Sequence, residues 1–108
     1  MKKLDIAPSH LQFIQKILQD TLPAEATVWV FGSRATGAAK KYSDLDLAIN
    51  INKPLSLETL AEIYTAFAES SLPYKVDIVD WTAISKDFQE KINEDKIFLW
   101  PNKKELQR

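Results

Sequence analysis

No cysteine occurs in these 108 residues, and only two glycines and one histidine do. The missing cysteines exclude disulfides, thiolate metal sites and a cysteine nucleophile. They agree with a reducing cytoplasm, the expected location. Neither sign of charge dominates: 14 Lys and Arg stand against 15 Asp and Glu, a formal net charge of −1. Such a chain sets up no strong field toward nucleic acid or a membrane surface, so stable nucleic-acid binding is not expected. No apolar run approaches membrane-spanning length. The N-terminus alternates polar and apolar residues, which does not read as a signal peptide. Lys2, Lys3, Lys103, Lys104 and Arg108 read as solvated ends rather than a polybasic anchor. The length fits a single domain, residues 1–108. A core of this size is modest, and a homo- or hetero-oligomeric partner would help it.

The rest of the chain alternates helical and strand patterns, with no repeat, linker or low-complexity segment. Pro8 and Ser9 read as a helix start, followed by Leu11, Ile14, Ile17 and Leu18 at helical spacing until Pro23. Thr27 to Phe31 is β-branched and aromatic and reads as a buried strand. Ser33 is placed to cap a short helix running to Gly37, and Gly37 reads as its C-cap. Asp44 to Ile51 reads as a second strand, with Asp44 and Asp46 on one face and Leu45 and Leu47 on the other. Pro54 and Ser56 open a helix with Leu60, Ile63, Tyr64 and Phe67 as its stripe, ending by Pro73. Lys75 to Asp80 is a third strand. A last helix carries Ile84, Phe88 and Ile92, and Ile97 to Trp100 is a terminal strand or packed tail. This order predicts an α/β (α+β) fold, a small mixed sheet of three to four strands with flanking helices.

Both glycines fall in Gly32-Ser33-Arg34-Ala35-Thr36-Gly37, which is followed shortly by Ser43-Asp44-Leu45-Asp46-Leu47. A glycine lets the backbone turn tightly and approach a ligand. A hydroxyl at a helix N-terminus adds donors suited to phosphate. Two carboxylates at i and i+2 on a strand share a face, ~6.6 Å apart along it. They can converge on one hard cation such as Mg²⁺ or bridge two. Asp77 is a third acid, set in a hydrophobic strand where an unpaired charge is costly. Asp80, three residues on, reads as a turn residue facing the other way. Three such acids suit two-metal phosphoryl chemistry.

Other residues read as structural. His10 stands beside a helix cap, far in sequence from the acids, and the loop lysines Lys40 and Lys41 read as solvated. Trp29, Trp81 and Trp100 read as core or interface. Phe98-Leu99-Trp100 is a candidate partner surface if left uncovered.

Taken together, Gly32-Ser33-Arg34-Ala35-Thr36-Gly37, Ser43-Asp44-Leu45-Asp46-Leu47 and Val76-Asp77-Ile78-Val79 resemble the minimal nucleotidyltransferase (MNT) family of the polymerase-β-like superfamily. The resemblance runs from about Val28 to the end. It departs at Asp95, where many relatives carry glycine after the last helix. The resemblance implies nucleotide binding by Gly32, Ser33, Arg34 and Ser43. It implies metal binding and catalysis by Asp44, Asp46 and Asp77, with ATP as substrate and one or two Mg²⁺.

The function expected from this resemblance is transfer of AMP from ATP to a hydroxyl of another macromolecule. No acceptor-binding domain is legible, so the acceptor is expected to come with a partner. The specific form is the antitoxin of a type VII-like HEPN/MNT toxin–antitoxin pair, adenylylating a tyrosine of a HEPN-domain toxin. Two alternatives stand beside it. One is a non-catalytic nucleotide- or partner-binding module that neutralises by occlusion. The other is a small-molecule nucleotidyltransferase subunit.

Overall fold

The computed structural model describes residues 4–101. The basic residues assigned above to solvated ends lie outside that range.

The chain runs α1 (Pro8–Thr21), β1 (Thr27–Phe31), α2 (Ser33–Thr36), β2 (Leu45–Asn50), α3 (Leu57–Ala68), β3 (Val76–Asp80), α4 (Lys86–Asp95) and β4 (Ile97–Trp100). The four strands form one mixed sheet in the order β3-β2-β1-β4. β1 pairs antiparallel with both β2 and β4, whereas β2 and β3, joined by α3, run parallel. The expected mixed sheet with flanking helices is therefore present, and the tail Ile97–Trp100 is its fourth strand.

Helix limits follow local chemistry. Pro8 occupies the first turn of α1, where its missing N–H costs nothing. Ser56 and Ser85 cap α3 and α4, accepting from Thr59 N and Phe88 N at 3.1 Å each. The cap at Ser85 leaves Ile84 outside α4, so the apolar stripe predicted from Ile84 begins one turn later. α3 ends at Ala68, well before Pro73. Beyond it Ser70 closes a turn, its N and Oγ both donating to Phe67 O at 3.1 and 2.6 Å.

One sheet face is dry. Val28 and Val30 of β1 and Leu45, Leu47 and Ile49 of β2 are buried there with Ile14 and Leu18 of α1 and Ile63 and Phe67 of α3. Each fully buried Ile, Leu or Val contributes about 1.5–3 kcal/mol relative to exposure. Alternation turns Trp29, Phe31, Asp46 and Asp77 to the opposite face. That face is only partly covered. Trp81 lies against Trp29 at 5.4 Å between ring centroids, and Phe88 meets Phe31 edge-on at 6.1 Å. Lys96 bridges this cover, its ammonium 4.1 Å from the Trp29 ring. Leu99 and Trp100 are buried in the core cluster. Leu99 and Trp100 are thus inner packing and not the partner surface considered above, whereas Phe98 is half-buried.

Candidate active site

β1 delivers the chain to Gly32, which takes φ +73° and ψ −154°. That backbone region is open to glycine and strained for other residues. A second constraint acts on the same atom. A Cβ built on Gly32 would fall against Asp46 Oδ2, and within 3.3 Å of Asp46 Cγ. The glycine therefore lets backbone lie directly on a carboxylate of the neighbouring strand.

Ser33 follows as the first residue of α2, and Gly32 occupies the cap position. This shifts the predicted capping role off Ser33 by one residue. Gly37 closes the turn in the left-handed region at φ +84°, its N–H donating to Ser33 O. Its C-cap role is as expected.

Arg34 departs most from expectation. Its side chain is buried, with 5% of its surface exposed. Nε and Nη2 donate to Ser43 O at 3.0 and 2.8 Å, Nη2 to Lys41 O at 3.1 Å, and Nη1 to Asp5 O at 3.0 Å. The guanidinium lies 3.8 Å over the Tyr74 ring. Its donors are engaged by main-chain carbonyls, so Arg34, expected at the phosphates, is held here as a clasp on the loop. Burial lifts the Tyr74 hydroxyl above the usual phenol range, against the opposing pull of Arg34. Tyr74 OH meets His10 Nδ1 at 3.3 Å, which gives the lone histidine a packing role.

The clasp shapes the loop before β2. Ser43 Oγ accepts from Lys40 N at 2.8 Å, and Ser43 N donates to Lys40 O at 3.1 Å. Ser43, expected at the nucleotide, spends these groups on closing the loop. Asp44 then stands exposed just ahead of β2 instead of within it, because the strand's pairing begins with Leu45 N donating to Lys75 O at 2.8 Å.

Asp46 and Asp77 occupy the same level of the parallel pair β2/β3, and Phe31 faces Asp46 from β1. Adjacent strands lie ~4.8 Å apart, so the two carboxylates are immediate neighbours on the open face. Burial, followed by the charges of Asp77 and Asp44, raises the Asp46 pKa above the ordinary carboxylate value. Asp80 is different. It closes β3 on the helix side, its carboxylate accepting from Leu55 N at 2.8 Å and Thr82 N at 3.2 Å. It is a turn-forming residue, as read.

Among the described residues no three His, Cys, Asp or Glu side chains are close enough to form a ready-made metal cage. The donor set nevertheless suits a hard divalent cation. Asp46 feels the charges of both Asp77 and Asp44, and none of the three has an ion-pair partner among the described residues, where Lys16–Asp20 is the one salt bridge. Oxygen ligands with room for phosphate and water are what Mg²⁺ takes.

Beside Gly32 the open face continues into a cleft of about 220 Å³ lined by Phe31, Gly32, Phe88, Lys91, Ile92 and Asp95. α4 thus belongs to this region, which was not expected from the sequence. The signal was there in Phe88, Lys91, Ile92 and Asp95, which recur at i, i+3, i+4 and i+7 along one side of the helix.

Residues 12–105 match the family model for polymerase beta nucleotidyltransferases. The chain belongs to that family. It is 42% identical over 106 residues to a Haemophilus influenzae protein named "Probable protein adenylyltransferase MntA", covering 98% of this chain and 92% of that one. A chain of a toxin–antitoxin complex crystallised with AMP-PNP superposes with a TM-score of 0.72 at 26% identity, over 88% of this chain and 76% of that chain. A structure of a tri-AMPylated Shewanella oneidensis HEPN toxin with its MNT antitoxin gives 0.62 at 25% identity, over 90% and 77%. Nucleotidyl transfer in general uses a nucleoside triphosphate and a divalent metal. Among the described residues no helix is long and apolar enough to cross a membrane.

Proposed function

We propose that this protein is a Mg²⁺-dependent adenylyltransferase that moves AMP from ATP to a tyrosine hydroxyl of a HEPN-domain toxin, and so acts as that toxin's antitoxin in the cytoplasm. One observation carries the proposal: Asp46 and Asp77 stand side by side on parallel strands, with the Gly32 backbone against Asp46. The relatives' adenylyltransferase name and HEPN-toxin complexes supply the substrate class and the partner.

In this reading Asp44 and Asp46 hold the cation, and Asp77 completes the acidic face. When bound, Mg²⁺ neutralises phosphate charge and lowers the cost of an attacking oxyanion. Gly32 and Ser33 receive the β- and γ-phosphates through main-chain N–H groups and the Ser33 hydroxyl. Asp77 accepts the proton of the acceptor hydroxyl. The new bond joins the tyrosine oxygen to the α-phosphorus, the bond from that phosphorus to the β-bridging oxygen breaks, and pyrophosphate leaves. Placement and charge account for the rate, since the groups are held before reaction begins.

The test is neutralisation of the partner's toxicity with and without nucleotide. The wild type protects only when ATP and Mg²⁺ are supplied, and the Asp44→Asn and Asp77→Asn variants do not protect. Protection by both variants without ATP would replace this reading with occlusion.

A further inference from the structure

The nucleotide reading leaves a charge unaccounted for. A triphosphate brings about four negative charges to a face that already carries three carboxylates, and even two divalent cations leave an excess. Arg34 does not supply the balance, because its donors are committed to the carbonyls of Asp5, Lys41 and Ser43 and its face to Tyr74. Lys41 lies 5.3 Å over the ring of Tyr42, and Lys96 is engaged with Trp29 and Trp81.

Lys91 is placed otherwise. It projects from α4 into the cleft whose opposite wall is Gly32, the residue lying on Asp46. Among the described residues it has no ion-pair partner, although Asp95 shares the cleft one turn along the same helix. Phe31, Phe88 and Ile92 give that cleft an apolar floor, which strengthens a charge interaction made above it.

We propose that Lys91 is a phosphate-binding residue of the nucleotide site, its ammonium reaching the non-transferred phosphates across the cleft from Gly32. The inference rests on the nucleotidyltransferase reading but is separable from it. The lysine substitutes for the arginine withdrawn into the loop clasp, and it makes α4 the second wall of the triphosphate channel.

Equilibrium binding of ATP, ADP and AMP in Mg²⁺, measured calorimetrically, tests it. Lys91→Gln is expected to weaken ATP about tenfold and AMP less than twofold, and Lys91→Arg to restore most of the ATP affinity. The residue is exposed, so unchanged melting temperatures verify that both variants fold. Full ATP affinity in Lys91→Gln overturns the proposal and leaves the family reading standing. Equal losses for ATP and AMP also overturn it, assigning the cleft to the nucleoside. Absence of ATP binding in the wild type overturns the nucleotide reading itself.

Discussion

The guanidinium of Arg34 stacks 3.8 Å above the ring of Tyr74 while donating to the carbonyl of Ser43. One buried cation thus ties the segment before α1, the loop before Asp44 and the start of β3 together. Replacing it with alanine leaves several carbonyls without donors and opens a void under Tyr74. We predict a loss of about 3 kcal/mol in Arg34→Ala by denaturant unfolding. Arg34→Lys recovers only part of this, because an ammonium cannot reproduce the planar fork and the stacking.

Gly32 and Gly37 separate conformation from space. Both have positive φ, but a Cβ on Gly32 meets Asp46, whereas one on Gly37 meets nothing within 4 Å. Gly37→Ala is expected to cost about 1 kcal/mol and to keep adenylyl transfer near wild type. Gly32→Ala adds displacement of the Asp46 carboxylate. It is expected to lower kcat by about 100-fold or more, as misplacement by an ångström does. Comparable kcat in the two variants contradicts the placement of Gly32 at the site.

Asp46 carries the sign of a functional strain. Its folded pKa is raised, so the folded state holds the proton more tightly than the unfolded chain. Its contribution to stability is therefore greatest below the ordinary aspartate value. That contribution is lost as pH rises from there through the raised value. At neutral pH the ionised group is a burden, and Asp46→Asn is expected to raise stability by up to about 1 kcal/mol, screening by water limiting the gain. The same variant is expected to abolish transfer. In the wild type, transfer is expected to fall on acidification, because in the proposed reading only the ionised acid holds the metal. A destabilised Asp46→Asn protein argues against this assignment.

Tyr64 guards the free edge of β3. Its hydroxyl accepts from Ile78 N at 3.0 Å and reaches back toward Ile78 O at 3.5 Å, directly after Asp77 in the chain. Water can replace the hydroxyl at this exposed edge, so Tyr64→Phe is expected to cost only about 0.5–1 kcal/mol. Amide exchange at Ile78 should quicken selectively in that variant.

Much of this molecule was legible because its patterns have physical causes that are local. β-Branched runs marked β1 and β3, and Ser56 marked the start of α3, whereas the Ser85 cap of α4 went unread. Asp77 stood out because a charge in an apolar strand needs a purpose. The errors came where distant groups decide. Arg34 reads as a phosphate ligand from its neighbours Gly32 and Ser33, yet the carbonyls that capture it come from Asp5 and from the loop ending at Ser43. Asp44 reads as a strand residue by alternation, but the pairing partner that starts β2 is Lys75. Strand order, and with it the meeting of Asp46 with Asp77, follows from the α3 crossover and has no counterpart in local spacing.

Transfer of AMP to a protein partner by Asp44, Asp46 and Asp77 is what separates this proposal from occlusion. Intact-mass measurement of a HEPN-domain partner after incubation with this protein, ATP and Mg²⁺ tests it most directly. A gain of one or more AMP units on a tyrosine is expected, absent with Asp44→Asn, with Asp77→Asn and after metal removal by chelation. An unmodified partner that is nonetheless neutralised, equally well by wild type and both variants, would contradict it.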